Sequence, residues 1–457
     1  MFSKVPSNTP PGKIRPAPEN FITPHEVAEV GRIEPVARRH FFKTAFSVAL
    51  ASAAMPALAT NKVLTASAGD PAILNLPAHS TGLGQPVAAR PYGLPSQYES
   101  NLQRRESPGL TRVGGASVSF CPLQGLFGII TPSGLHFERH HQGWWDIDPT
   151  AHRLMINGLV KKPMVFTVDE LMRMESVSRI HFVECGANTG MEWGNVAVPT
   201  VQYTHGMLSS SEFTGVPLIE VLQYCGVDLK KGRYILAEGA DGSSMTRTIP
   251  MEMVESGEVL LAYGQNGEML RPENGYPLRL VVPGVQGVSW VKYLRRIEVG
   301  DKPYGSKDEA IHYVDLMPDG THRQYTSIQE CKSVITTPSG GQALLTPGFY
   351  SITGLAWSGR GAIKAVDVSV DGGKNWTQAR LQTPVLDKSL TRFSLPWVWN
   401  GKPALLQSRA VDSTGYVQPQ LRTLREVRGT KSIYHNNAIQ TWRVDEQGHV
   451  HNVQVAS

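Results

Sequence analysis

The run His181-Phe-Val-Glu-Cys185-Gly-Ala-Asn188 takes a strand-like segment into a single cysteine and then into a glycine-containing turn. A thiolate there is a soft metal ligand, and glycine lets the backbone approach another group closely. The competing reading of a lone cysteine is a small core residue. Two further segments carry chemistry: Phe137-Glu-Arg139-His140-His141, and Asn274-Gly-Tyr-Pro-Leu-Arg279 with Trp290-Val291-Lys292 after it. Guanidinium and ammonium groups suit an anion, and arginine presents a rigid fork of donors to it. Asp241-Gly242 adds a carboxylate, and Tyr313 in Ile311-His312-Tyr313-Val-Asp315 adds a phenol that can hydrogen-bond and carry protons. Each has an ordinary alternative. Arg139 could make a surface ion pair, Asp241-Gly242 a turn, Lys292 a solvated face and Tyr313 an interface contact.

Elements able to position these residues can be read from periodicity. Arg179 to Glu184, Tyr234 to Ala237 and Leu278 to Val282 are strand-like. Thr167-Val-Asp-Glu170 is a capping box that opens a short helix including Leu171 and Met172. Pro217 starts another helix that Gly226 closes, with Leu218, Val221, Leu222 and Cys225 on one face. Past about residue 305 the texture changes. Val366, Val368 and Val370 alternate with Asp367 and Ser369, Asp371-Gly372-Gly373 makes a hairpin turn, and the next strand carries Trp376. Short strands recur to about residue 425, which predicts a β-sandwich.

Composition narrows the partners. A formal charge of +5 over 457 residues, with no Lys/Arg block, gives no support for nucleic-acid binding. The four cysteines, 121, 185, 225 and 331, lie far apart and none forms Cys-x-x-Cys. Neither a zinc clip nor a c-type haem attachment is encoded, so no haem is expected in this chain.

Arg38-Arg39-His-Phe-Phe-Lys43 precedes an Ala-rich apolar run from Thr44 to Leu58, and Ala57-Leu-Ala59 supplies a small-residue cleavage pattern. Residues 1–59 therefore read as a twin-arginine export signal, although the arginine pair comes late. The run is shorter than the ~20 apolar residues a spanning helix needs, so no membrane span is expected and the mature protein is placed in the periplasm. A short anchor is the alternative. Residues 60–117, rich in Pro, Gly, Ser and Ala, read as an extended arm.

Taken together, the cysteine segment, the Phe-x-Arg-His-His run and the Arg279 and Trp290-Val-Lys292 segments resemble the sulfite oxidase family. The texture of Gly354-Leu-Ala-Trp-Ser-Gly359 and Asp371-Gly-Gly-Lys-Asn-Trp376 resembles that family's immunoglobulin-like dimerisation domain. The implied fold is an α+β molybdopterin domain over residues 118–305, a connecting segment 306–325, an all-β domain 326–430 and a tail 431–457. The implied cofactor is one molybdenum-molybdopterin per chain, which brings most of its own donors. By that resemblance Cys185 binds the metal, and Arg139 and Tyr313 join it as catalytic residues, Tyr313 with a one-residue shift in spacing. Phe137, Arg139, His140, His141, Asp241, Asn274, Arg279, Trp290, Val291 and Lys292 hold the cofactor; the family pattern has His where Asn274 stands.

Departures narrow the branch. Sulfite oxidases follow the cysteine with an arginine pair, whereas here Gly-Ala-Asn-Thr-Gly190 follows. Tyr203 and His205 lie where the family carries an active-site tryptophan. Thr189-Gly-Met-Glu-Trp193 and Tyr434-His-Asn-Asn-Ala-Ile-Gln-Thr-Trp442 look most like the molybdenum subunits of the sulfane dehydrogenase branch. That likeness implies oxidation of sulfane sulfur on a carrier protein during thiosulfate oxidation. It also implies electrons leaving to a c-type cytochrome subunit and a homodimer through the C-terminal domain. A dehydrogenase of free sulfite, a reductase on this fold and a cofactor-free scaffold for the carrier remain as alternatives.

Overall fold

The computed structural model describes His79 and residues 82–86, 89–106, 115–194, 198–310, 312–324, 328–431 and 433–454. The expected export signal and much of the expected arm lie outside the described residues. The described residues divide into two units, one ending at Asn101 and one running from Leu102 onward. The described part of the smaller unit contains one 3-10 turn, Gln97–Glu99, opened by Ser96 accepting from the Tyr98 amide at 3.3 Å.

The larger unit begins with a small sheet of Arg105–Glu106, Val118–Phe120 and Glu138–Arg139, followed by two five-stranded sheets. In the first, Glu268–Met269, Leu260–Gln265, Leu208–Pro217 and Val177–Glu184 lie side by side, and Arg279–Val281 also pairs with Leu260–Gln265. In the second the order is Met164–Phe166, Leu154–Gly158, Leu294–Gly300, Tyr234–Gly239 and Thr246–Pro250. The Leu154 and Leu294 strands run parallel. The expected capping box forms: Thr167 Oγ1 accepts from the Glu170 amide at 3.1 Å, and Glu170 accepts from the Thr167 amide at 2.8 Å. Cys225 is fully buried beneath the helix Leu218–Tyr224, and Gly226 ends that helix at φ +71°.

The β-sandwich has one sheet of Lys332–Thr337, Gly348–Trp357, Thr391–Trp399 and Arg380–Leu381. The other is Thr377–Gln378, Ile363–Ser369, Ala404–Asp412, Thr441–Val444 and Val450–Val453. Two corrections follow. Strands do not stop near 425, because Thr441–Val444 pairs with Ala404–Asp412 and Val450–Val453 pairs with Thr441–Val444, beyond the expected boundary. The turn after Ser369 is also longer than Asp371-Gly372-Gly373, and Trp376 sits just before the next strand rather than in it. Ser369 is buried because its hydroxyl accepts from the Asp371 and Gly373 amides and donates to Asp371 Oδ1. Among the described residues, no helix is long and apolar enough to cross a membrane.

Candidate active site

The strand Val177–Glu184 carries Cys185 out of the first sheet, held on one side by Leu208–Pro217 along its whole length. The Cys185 amide donates to Met207 O at 3.0 Å, and the Asn188 amide closes the turn on Cys185 O at 2.9 Å. Glycine after the cysteine is required by space: a Cβ on Gly186 would lie 2.8 Å from Gln286 Oε1 and 3.6 Å from Tyr434. Burial pushes the thiol up, while the Ala187 amide and the Arg139 guanidinium draw it down. All four cysteines are free, and Cys185 alone is not fully buried.

Cys185 opens on a cleft of about 770 Å³, its mouth included, a size suited to a cofactor. Phe137, Arg139, His140, His141, Asp241, Asn274, Arg279, Trp290, Val291, Lys292 and Tyr313 all line it. The structure thus gathers Cys185 and the residues expected to hold the cofactor or act beside it around one cavity. Arg139 stands on the short strand Glu138–Arg139, pairs with Val118–Phe120 and donates to the His140 carbonyl. Arg279, on the strand beside Leu260–Gln265, is buried with its head over the rings of Phe213 and Trp290. It donates to Asn274 O at 2.9 Å and Trp290 O at 3.2 Å. Lys292 Nζ lies 2.8 Å from His140 Nδ1 and 3.2 Å from Glu273 O.

Neither Arg279 nor Lys292 forms an ion pair among the described residues. Burial lowers Arg279 to about 10. Burial and then the Arg279 charge lower Lys292 to about 7. A buried guanidinium and a half-buried ammonium without carboxylate partners are costly unless an anion joins them. Several polar atoms around them also lack partners among the described residues: His136 Nε2, His140 Nε2, Asn274 Nδ2 and Arg279 Nε. Cations, free donors and aromatic walls fit the phosphate and polar ring of a pterin. No group of three or more His, Cys, Asp or Glu among the described residues could hold a metal alone, so a metal here would need the cofactor's own donors beside Cys185.

Tyr313, at φ +55° and 7 % exposed, brings its ring to the cleft with the Arg247 guanidinium carbon 5.2 Å from the centroid. The sequence reading missed Arg247. Met245, two residues earlier and just before the strand Thr246–Pro250 that carries Arg247, lines the cleft. It also missed His136, Ser243, Glu273 and Val288 in the lining. Ser243, which donates to Asp241 Oδ2 at 2.7 Å, is within two residues of a residue that had been singled out.

Residues 433–437 cross the cysteine turn as a strap. The His435 amide donates to Gly186 O at 2.7 Å, and Trp193 Nε1 donates to Tyr434 O at 3.2 Å. A Cβ on Gly190 would lie 2.7 Å from Ile433 O. Where sulfite oxidases carry arginines after the cysteine, this turn is therefore packed against backbone. Tyr203 and His205 fall outside the cleft lining: Tyr203 packs its ring edge on Phe120, and His205 is buried against Trp357.

A family model described as an oxidoreductase molybdopterin binding domain matches residues 141–307, and one described as a Mo-co oxidoreductase dimerisation domain matches 323–442. The chain belongs to the sulfite oxidase family of molybdopterin-dependent oxidoreductases. It is similar to the crystal structure of the sulfane dehydrogenase SoxCD from Paracoccus pantotrophus, with 49% identity, a TM-score of 0.83, and coverage of 85% of this chain and 99% of that one. Among curated relatives it is 33% identical to an NADH nitrate reductase of Hordeum vulgare, covering 64% of this chain and 36% of that protein. An NADH nitrate reductase of Arabidopsis thaliana is 32% identical over 60% of this chain and 33% of its own length. The chain thus spans about a third of these relatives.

Proposed function

We propose that this enzyme oxidises sulfane sulfur bound to a carrier protein in thiosulfate oxidation and passes the electrons to a c-type cytochrome. The observation that carries the reading is the 49% identity to a sulfane dehydrogenase across 99% of that chain. The cysteine turn supports it. Its arginine-free sequence leaves Arg139 as the cation beside Cys185, which disfavours a small free dianion. Bound molybdopterin would supply a molybdenum that takes two electrons from the substrate sulfur.

The chain's own groups then have distinct tasks. Cys185 provides the thiolate ligand. Lys292, Arg279, His140, His141, Asn274 and Asp241 hold the cofactor's charged and polar atoms, and Phe137, Trp290 and Val291 wall its ring. Arg139 faces the negative end of the substrate. The Tyr313 hydroxyl donates to that end and moves a proton as electrons depart. The periplasm is the proposed site of action, on the strength of Arg38-Arg39 and the apolar run after it. The sandwich is the proposed homodimer contact, supported by its match to a dimerisation domain.

Metal analysis and steady-state kinetics on the purified protein test this. The expected result is one molybdenum per chain and a higher kcat/KM for carrier-bound sulfane than for sulfite or nitrate. Preference for free sulfite would make it a sulfite dehydrogenase. Absence of molybdenum would favour a docking scaffold.

A further inference from the structure

Glu184 and Lys332 form an ion pair at 2.9 Å in which both side chains are only 3% exposed. Glu184 ends the strand that delivers Cys185, and Lys332 opens the first strand of the sandwich. The carboxylate is well satisfied: Asn188 Nδ2 donates to Oε1 at 2.9 Å and Trp357 Nε1 to Oε2 at 2.8 Å. The same ammonium donates to Thr189 Oγ1 at 2.9 Å. One lysine therefore grips the residue just before the cysteine and another just beyond its turn.

Thr189 sits at φ +63°, a left-handed conformation that a β-branched residue keeps only when its surroundings impose it. Its hydroxyl also reaches the Asn436 carbonyl at 2.7 Å, so two segments of the sandwich side hold it. Stability is a weak reason for this arrangement, because a buried ion pair seldom outperforms apolar residues of the same volume. What such a network supplies is a single geometry, since only one arrangement meets all its donors and acceptors.

We propose that Lys332 is a positioning residue for Cys185, fixing the cysteine turn through Glu184 and Thr189 and so setting how the sulfur enters the cleft. The inference rests on the reading of Cys185 as the molybdenum ligand. It assigns the sandwich a part in the redox site beyond its match to a dimerisation domain. The pair also sets a negative and a positive charge beside the thiolate, so removing both alters the field at the sulfur.

The test compares wild-type holoenzyme with the neutral pair Glu184→Gln/Lys332→Met and with Thr189→Val and Thr189→Ser. Molybdenum content, thermal unfolding, the electron paramagnetic resonance of one-electron-reduced molybdenum, and kcat and KM are measured for each. The neutral pair strands no buried charge. If it does not fold, Thr189→Val removes a single hydroxyl from a near-isosteric side chain and decides the matter alone. The expected result is retained molybdenum, shifted resonance parameters, and a kcat lowered about tenfold or more with KM little changed. Thr189→Ser should match wild type. Variants with the wild-type spectrum would overturn the proposal, whether kcat is unchanged or falls only in step with thermal stability. Wild-type protein without molybdenum would instead overturn the reading of Cys185, and this inference with it.

Discussion

The ring of Tyr434 lies against that of Tyr313, with centroids 4.8 Å apart and planes 28° from parallel. Tyr434 belongs to the strap over the cysteine turn, so the segment that covers Gly186 also braces the phenol facing the cleft. Burial pushes Tyr313 up, and the charges of Arg139 and Arg247 oppose that. The hydroxyl therefore keeps its proton at neutral pH and acts as a donor.

Replacing that donor should act on turnover. Tyr313→Phe is expected to lower kcat by about ten- to a hundredfold with cofactor content unchanged. Tyr434→Leu, which leaves the hydroxyl but removes its brace, should have a smaller effect. Steady-state kinetics beside a metal assay read both. Wild-type kcat in Tyr313→Phe would remove this residue from the catalytic set.

Cys185→Ser exchanges a soft thiolate for a hard, protonated hydroxyl. The pterin should remain bound, because Arg279, Lys292 and the aromatic walls are untouched, while turnover collapses by about a thousandfold or more. Pterin fluorescence after denaturation, measured with activity, separates the two effects. Substantial turnover in the variant would rule out Cys185 as the ligand.

The lowered pKa values give the cofactor-free protein a particular stability profile. Lys292 is held at about 7, against about 10.5 for a free lysine. Between those values the unfolded chain binds the extra proton, so stability should rise with pH from about 7 to about 10.5. Lys292→Met should flatten that limb, and bound cofactor should flatten it too, because a phosphate favours the charged amine. On the acid side, burial first and foremost holds His136 and His140 at about 3 and His141 and His181 at about 4. These rings stay neutral in the fold and charge on unfolding, so stability should drop as pH falls below about 6.5. Thermal melts across this range read both limbs. A flat alkaline limb in the cofactor-free wild type would contradict the first.

Gly284, before the sandwich, and Gly359, within it, meet backbone to backbone. A Cβ on Gly359 would lie 1.9 Å from Gly284 O, and one on Gly284 would lie 2.4 Å from Gly359 O. Gln329 ties the two, its amide donating to Gly284 O at 2.9 Å and its carbonyl accepting from Gly359 at 2.6 Å. Gly359→Ala should destabilise by roughly 2 kcal/mol or more. Denaturant unfolding should show a lower midpoint with an unchanged slope.

The cleft lining was legible because its residues sit in short local runs, where one recognised residue brings its neighbours. Arg139, His140 and His141 are consecutive, as are Trp290, Val291 and Lys292. Lys332 carries no such context, and the recognised run from Tyr434 to Trp442 does not say what Tyr434 will meet. Lys332 meets Glu184 across 148 positions, and Tyr434 meets Tyr313 only after the sandwich has folded between them. Arg247 lies on the strand Thr246–Pro250, and nothing local says which long-range ring it will cover. The strands Thr441–Val444 and Val450–Val453 escaped notice because the first is buried on nearly every residue, leaving no two-residue alternation to read.

The strap has a consequence for biosynthesis. Its contacts with Gly186 and Trp193 come from residues 434 and 435, Tyr434 standing 241 positions after Trp193. A nascent polypeptide therefore offers an unfinished receptacle until the sandwich that separates them has been made. Loading is expected to follow synthesis of both domains, and a product truncated before the strap is expected to take up the prosthetic group poorly.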